Sequence, residues 1–123
     1  MTERRKMEER WRTEKYLVMY HSQKHYEQIR ETLKSDCRLA DVERLITEAK
    51  NTPPTPGSMM NAFQHMWGYF KKQATPEERE KYSRLQQMES DSGQTEKERL
   101  EFIRSLAEKY EVGYLLESSL LEM

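Results

Sequence analysis

Valine and isoleucine together supply six of the 123 residues, and that shortage is the tightest constraint on what this chain can fold into. Strands need β-branched and aromatic side chains on their pleated faces. Glu, Lys, Arg, Leu, Met and Gln dominate instead, and all of them hold a helix well. Apolar residues make up 35% of the chain and charged residues another 35%, a lean core under a charged surface. The twelve aromatics (two Trp, seven Tyr, three Phe) keep it short of disorder. The length fits one domain with one core. The reading is all-α, a single-domain bundle of about six helices.

Periodicity and caps divide the chain. A first helix is predicted from Thr2 to His21, with Met7, Trp11 and Val18 sharing a face. Ser22 reads as the N-cap of a second helix to Lys34. A third, Asp41–Lys50, carries Val42, Leu45, Ile46 and Ala49 on one side. Residues 51–58 read NTPPTPGS, a rigid connector inside the domain. A fourth helix is predicted over 58–74. Thr75-Pro76-Glu77-Glu78 is a capping box with proline at the first helical position, opening a fifth helix to Glu89. Ser90–Gly93 breaks it, and a second capping box, Thr95-Glu96-Lys97-Glu98, opens a sixth to Tyr110. Gly113 then precedes an apolar segment, 114–121.

Composition excludes several chemistries. The single cysteine, Cys37, permits no internal disulfide and no iron–sulfur or cysteine-zinc centre within one chain. The three histidines show no His-Glu-x-x-His spacing, and there is neither a glycine-rich phosphate loop nor a nucleophile elbow. No cofactor is expected. No signal peptide or membrane helix is readable, so a cytoplasmic location is the default. Charge is divided: residues 1–72 hold 14 Lys and Arg against 10 Asp and Glu, and residues 73–123 hold 7 against 12. An acidic partner would prefer the first half.

Two segments carry the functional reading. On a helical wheel of the fourth helix, Met60, Ala62, Phe63, Met66, Trp67, Tyr69 and Phe70 fill an arc from about 80° to about 260° from Asn61. Asn61, Gln64, His65, Gly68, Lys71 and Lys72 fill the other side, a polar stripe around a glycine. Gly68 costs about 1 kcal/mol against alanine inside a helix. It either receives a neighbouring helix or leaves a bare surface for a ligand. The segment from Lys15 to Tyr26 interleaves Lys15, Lys24, His21 and His25 with Tyr16, Tyr20 and Tyr26. Cations among aromatics suit RNA, where phosphates pair with lysine and unpaired bases stack on rings. The same rings serve equally as core of a small helical domain.

These two segments, KYLVMYHSQKHY from Lys15 and NAFQHMWGYFKK from Asn61, resemble the YbgA-like family, a domain of unknown function with a "KYLLMAHS-x-x-x-Y" start and an "N-x-x-QH-x-x-GYFK" helix. The family is often fused to iron–sulfur domains that remove sulfur from thiolated pyrimidines, where the helical part is thought to bind tRNA. The resemblance implies RNA binding, with tRNA as the RNA, by Lys15, His21, Tyr26, Asn61, His65, Gly68, Lys71 and Lys72. Lys15, His21, Lys71 and Lys72 are the residues placed at phosphates. No desulfurase domain lies within these residues, so a separate desulfurase-like enzyme is the implied partner. Two other readings stand beside it. One is a module that docks a partner or self-associates through Tyr114–Leu121 or around Met59 and Met60. The other is an enzyme using His21 or His65 as acid or base, which requires both in one pocket.

Overall fold

The computed structural model describes residues 2–89 and 93–122. Seven helices follow in order: α1 Glu3–His21, α2 Gln23–Leu33, α3 Leu39–Lys50, α4 Pro56–Trp67, α5 Pro76–Gln87, α6 Gly93–Lys109 and the single turn α7 Gly113–Leu116. A 3-10 turn, Ser119–Glu122, closes the described chain. Among the described residues there is no strand. The first six helices are those the pattern predicts, and α7 is one turn added within the apolar tail.

α1 is the central strut. Its first half is amphipathic and carries the i,i+4 pairs Arg4–Glu8 and Arg5–Glu9. Its second half buries five consecutive residues, Tyr16 to Tyr20, as a helix covered on every side must. The covers are α2, α3, α4 and the closing 3-10 turn. Ser22 turns the chain in a single extended residue, and its hydroxyl accepts the His25 N–H. The inward face of α4 brings Phe63, Met66 and Trp67 into the core. Trp67 stacks on Tyr82 at 4.3 Å between ring centres and lies 6.0 Å from Phe102, tying α4 to α5 and α6.

Burial also takes in charge. Glu14 is buried and accepts hydrogen bonds from Lys50 on α3, from Ser119 of the closing turn and from Arg10 one turn earlier. Burial works against its ionisation, yet those bonds outweigh it and hold the carboxyl below the usual range. Arg99 is 1% exposed. It donates to Glu96 and to the carbonyls of Leu85 and Met88, fastening the end of α5 onto α6. Tyr20 on α1 donates to the same Glu96 at 3.2 Å.

The predicted boundaries fail where a short motif conceals its context. α4 starts at Pro56, not Ser58. Thr55 caps it, accepting the Ser58 N–H while Ser58 Oγ accepts the Thr55 N–H. Part of the supposed connector is therefore a capping box with proline at the first helical position. α4 also ends at Trp67 rather than Ala74. Gly68 N–H is shared between the Gln64 and His65 carbonyls at 3.2 Å each, and the chain runs on in turns to Gln73. Gly68 is exposed, and a Cβ there would meet only carbonyls of its own helix end, so it receives no neighbouring helix.

The second capping box is not one. α6 begins at Gly93, which leaves Thr95 and Glu96 buried inside its first turns. Residues 90–92 of the predicted breaker lie outside the described residues. α3 begins two residues earlier than predicted, with Arg38 as N-cap. The segment 114–121 faces inward: Leu115, Leu120 and Leu121 are buried, and Leu116 alone of its leucines is exposed. Glu111, in the left-handed region at φ 55°, ends α6. It accompanies a bond from Val112 N–H to the Ala107 carbonyl and redirects the chain so that α7 delivers Leu115 to the core and Tyr114 to the surface described next.

Candidate nucleic-acid interface

Lys15 and Tyr16 are neighbours on α1, and three more tyrosines gather around them. Tyr16 and Tyr69 share a hydrogen bond between their hydroxyls at 3.1 Å, with ring centres 6.4 Å apart and nearly perpendicular. Tyr114 closes a triangle, 6.3 Å from Tyr16 and 6.1 Å from Tyr69. Tyr26 on α2 lies close enough for its ionisation to feel Tyr69, and Trp11 packs on its ring at 5.6 Å. Burial, reinforced by the neighbouring hydroxyls, pushes the Tyr16 phenol far above its ordinary value. At any working pH the Tyr16 ring is neutral.

Cations sit over those rings. The Arg12 guanidinium is 5.1 Å from the Tyr114 centre, Lys15 Nζ is 5.7 Å from that of Tyr16, and Arg30 is 5.7 Å from that of Tyr26. These are cation–π distances. Tyr69 carries no such cation among the described residues and is 39% exposed. It is a ring fixed by its hydroxyl, with surface still open. Lys15 is half-buried and pairs with no acid among the described residues. Burial, and then the nearby Arg30, lower its pKa. Arg12 holds Glu117 at 2.9 Å, with both side chains more than half exposed. Such a pair is worth little and exchanges readily.

A second feature lies between the end of α1 and α4. His21, at the end of α1, and Asn61 on α4 line an open cleft of about 650 Å³ together with Gln23, Thr52, Pro53 and Gly57. His21 Nδ1 donates to the Thr52 carbonyl at 2.8 Å. Asn61 Nδ2 donates to Gln23 Oε1, which joins the start of α2 to α4.

The predicted residues therefore divide. Lys15 and Tyr26 are in the cation–aromatic patch, and His21 and Asn61 are in the cleft. His65 is exposed one turn beyond Asn61. Gly68 ends the helix, and Lys71 and Lys72 are exposed on the turns that follow, with no acid paired to either among the described residues. Sequence spacing alone does not point to Arg12, Arg30, Tyr69 or Tyr114 as site residues. The polar-stripe criterion assigned Tyr69 to the apolar arc and Tyr114 to the tail, and only tertiary packing brings them to Tyr16. The histidines do not converge. His25 bonds to Ser22 and approaches Glu48 at 3.8 Å, His65 does not line the His21 cleft, and among the described residues no group of three His, Cys, Asp or Glu is placed to hold a metal. The acid–base reading needs His21 and His65 in one pocket, which this geometry does not provide. Among the described residues no helix is long and apolar enough to cross a membrane.

A family model described as "Protein of unknown function (DUF1722)" matches residues 15–123. No curated protein and no solved structure matches the chain.

Proposed function

The chain belongs to the family of proteins of unknown function DUF1722, consistent with the YbgA-like resemblance of its two motifs. On that premise we propose that it is a helical RNA-binding accessory module, with tRNA as its RNA, acting beside a nucleotide- or sulfur-modifying enzyme and doing no chemistry of its own. One observation carries this reading. Arg12, Lys15 and Arg30 stand over Tyr114, Tyr16 and Tyr26 around the exposed ring of Tyr69. Cations supply phosphate contacts that release counterions, and the exposed Tyr69 ring, held by the hydroxyl of the buried Tyr16, supplies a stacking face that tolerates any base. Lys15 is costly to keep where it is, half-buried beside Arg30 and without an acid. An anionic ligand would remove that cost. Lys71 and Lys72 extend the positive surface beyond α4.

Fluorescence anisotropy with labelled tRNA over a salt series tests it. Affinity is expected to fall steeply with salt. Lys15→Met/Arg30→Gln is expected to weaken binding at least tenfold at low salt and to flatten the log–log salt slope by about 2, one per lost phosphate contact. Lys71→Ala/Lys72→Ala is expected to give a smaller loss, since neither lysine touches the rings. Absence of tRNA binding at low salt overturns the reading.

A further inference from the structure

The His21–Asn61 cleft differs in kind from the surface around it. On a chain whose residues are 35% charged, none of its nine lining residues is Lys, Arg, Asp or Glu. It is a polar cleft without a lysine, arginine or carboxylate in its lining. Its hydrogen-bonding groups are also held in fixed roles. A carbonyl only accepts, so the bond to Thr52 puts the proton of the neutral His21 ring on Nδ1 and leaves Nε2 as an acceptor. Gln23 Nε2 donates to Glu27 at 2.8 Å, and Gln23 Oε1 accepts from Asn61. That chain of bonds fixes the Asn61 amide and leaves its Oδ1 without a partner among the described residues. The Ser22 and Thr55 hydroxyls are occupied in capping α2 and α4.

A phosphate finds little here. No cationic side chain lines the cleft, the two fixed side-chain groups left unpaired are acceptors, and a carboxylate stands behind Gln23. Two free acceptors in a neutral cleft of about 650 Å³ call for a flat, uncharged ligand that presents N–H donors, and that volume is in the range of small-ligand sites. We infer that this cleft reads one unpaired nucleobase bearing an exocyclic amino group, whose two hydrogens are donated to His21 Nε2 and Asn61 Oδ1. The inference rests on the RNA reading above and gives His21 a base-reading role in place of the phosphate contact expected from the motif. α4 connects the two features along the chain, with Asn61 in the cleft and Tyr69 two residues past the helix end.

Cytosine and uracil isolate the feature. They have the same ring size and backbone charge, but carry amino and oxo groups respectively at the same ring position. Anisotropy titrations with labelled oligocytidylate and oligouridylate of equal length are expected to show the cytosine strand bound about tenfold tighter, within the range set by a good pair of base contacts. Asn61→Leu, with its fold checked by circular dichroism, is expected to abolish the preference by lowering oligocytidylate affinity to that of oligouridylate. Equal binding of both strands by the native protein, or an Asn61→Leu variant that weakens both alike, overturns the inference and leaves RNA binding standing. Binding of neither strand, nor of tRNA, overturns both.

Discussion

Arg99 and Lys15 are both cations taken out of water beside aromatic rings, and the fold treats them in opposite ways. Arg99 lies 5.6 Å from the Phe63 ring and is 1% exposed. It is bonded to a carboxylate and to two carbonyls that α5 would otherwise leave open at its end. Lys15 lies over Tyr16, half-buried, with Arg30 for a neighbour and no acid in reach. A cation in the first arrangement holds helices together. One in the second detracts from stability and makes sense only if something outside the chain completes it. The difference teaches that net charge by halves is a poor guide to a binding face. Arg10, Arg38 and Arg44 also belong to the positive first half, and all are paired within the fold.

The largest expected effect tests the Arg99 side. Arg99→Met removes the guanidinium donors from the buried Glu96 and from the Leu85 and Met88 carbonyls. Breaking a buried pair in this way costs about 3–5 kcal/mol, enough to be most of the stability of a domain this size. Chemical denaturation is expected to show that loss, and the folded fraction is expected to keep its RNA affinity and salt slope. A stability change under about 1 kcal/mol would break the comparison, because Arg99 would then be as dispensable as a surface cation.

Glu78 gives an intermediate case, a surface charge committed to the fold. Burial works against its ionisation, but bonds from Lys109, from Tyr110 and from the Thr75 backbone prevail and bring its pKa down to about 2. A carboxyl with a depressed folded pKa contributes stability that is present above its unfolded value, near 4.5. That contribution is lost as pH falls through the folded value. Native protein is therefore expected to lose this contribution only between about pH 4.5 and pH 2, and Glu78→Gln to flatten that part of the acid limb in a pH series of unfolding midpoints. Because the Glu78 side chain also completes the cap of α5, Glu78→Ala is expected to cost about 1 kcal/mol at neutral pH. An acid limb unchanged by Glu78→Gln would remove Glu78 from the committed class.

How much of this was legible follows from the range of each interaction. Helix identity depends on neighbours a turn apart, so α1 to α6 could be read from spacing and composition. Thr75-Pro76-x-Glu78 was recognised because nothing contradicts its local meaning. Thr55-Pro56-Gly57-Ser58 has the same geometry, but it was hidden by Pro53, Pro54 and the glycine, which score as breakers. Thr95-Glu96-Lys97-Glu98 misleads for the converse reason. It has the pattern of a cap, while Arg99 and Tyr20, one of them 76 residues away, draw Glu96 into the interior. The site divides along the same line. Lys15, Tyr26, Asn61 and His65 are visible within two short segments. Arg30, Tyr69 and Tyr114 become part of the site through packing among α1, α2, the turn after α4 and α7, which no short window contains.

The smallest expected effect on stability is the sharpest test of the Lys15 side. Its ammonium has a pKa below the ordinary lysine value of 10.5, through burial first and Arg30 second. For a base with a lowered folded pKa, the unfolded chain binds the proton better. The charged side chain therefore lowers stability at neutral pH, and the loss is recovered as pH rises through the folded value. Lys15→Met keeps the aliphatic stem that covers the Tyr16 ring and removes the charge. Its unfolding midpoint is expected to stay within about 0.5 kcal/mol of native or to rise slightly, while tRNA affinity falls and the salt slope flattens by about 1. A residue that weakens the ligand's hold and leaves the fold intact when removed is a binding residue. If Lys15→Met instead unfolds the protein by more than about 1 kcal/mol, then Lys15 is a structural cation like Arg99. The contrast between the two regions then fails, and with it the argument that the patch awaits an anionic ligand.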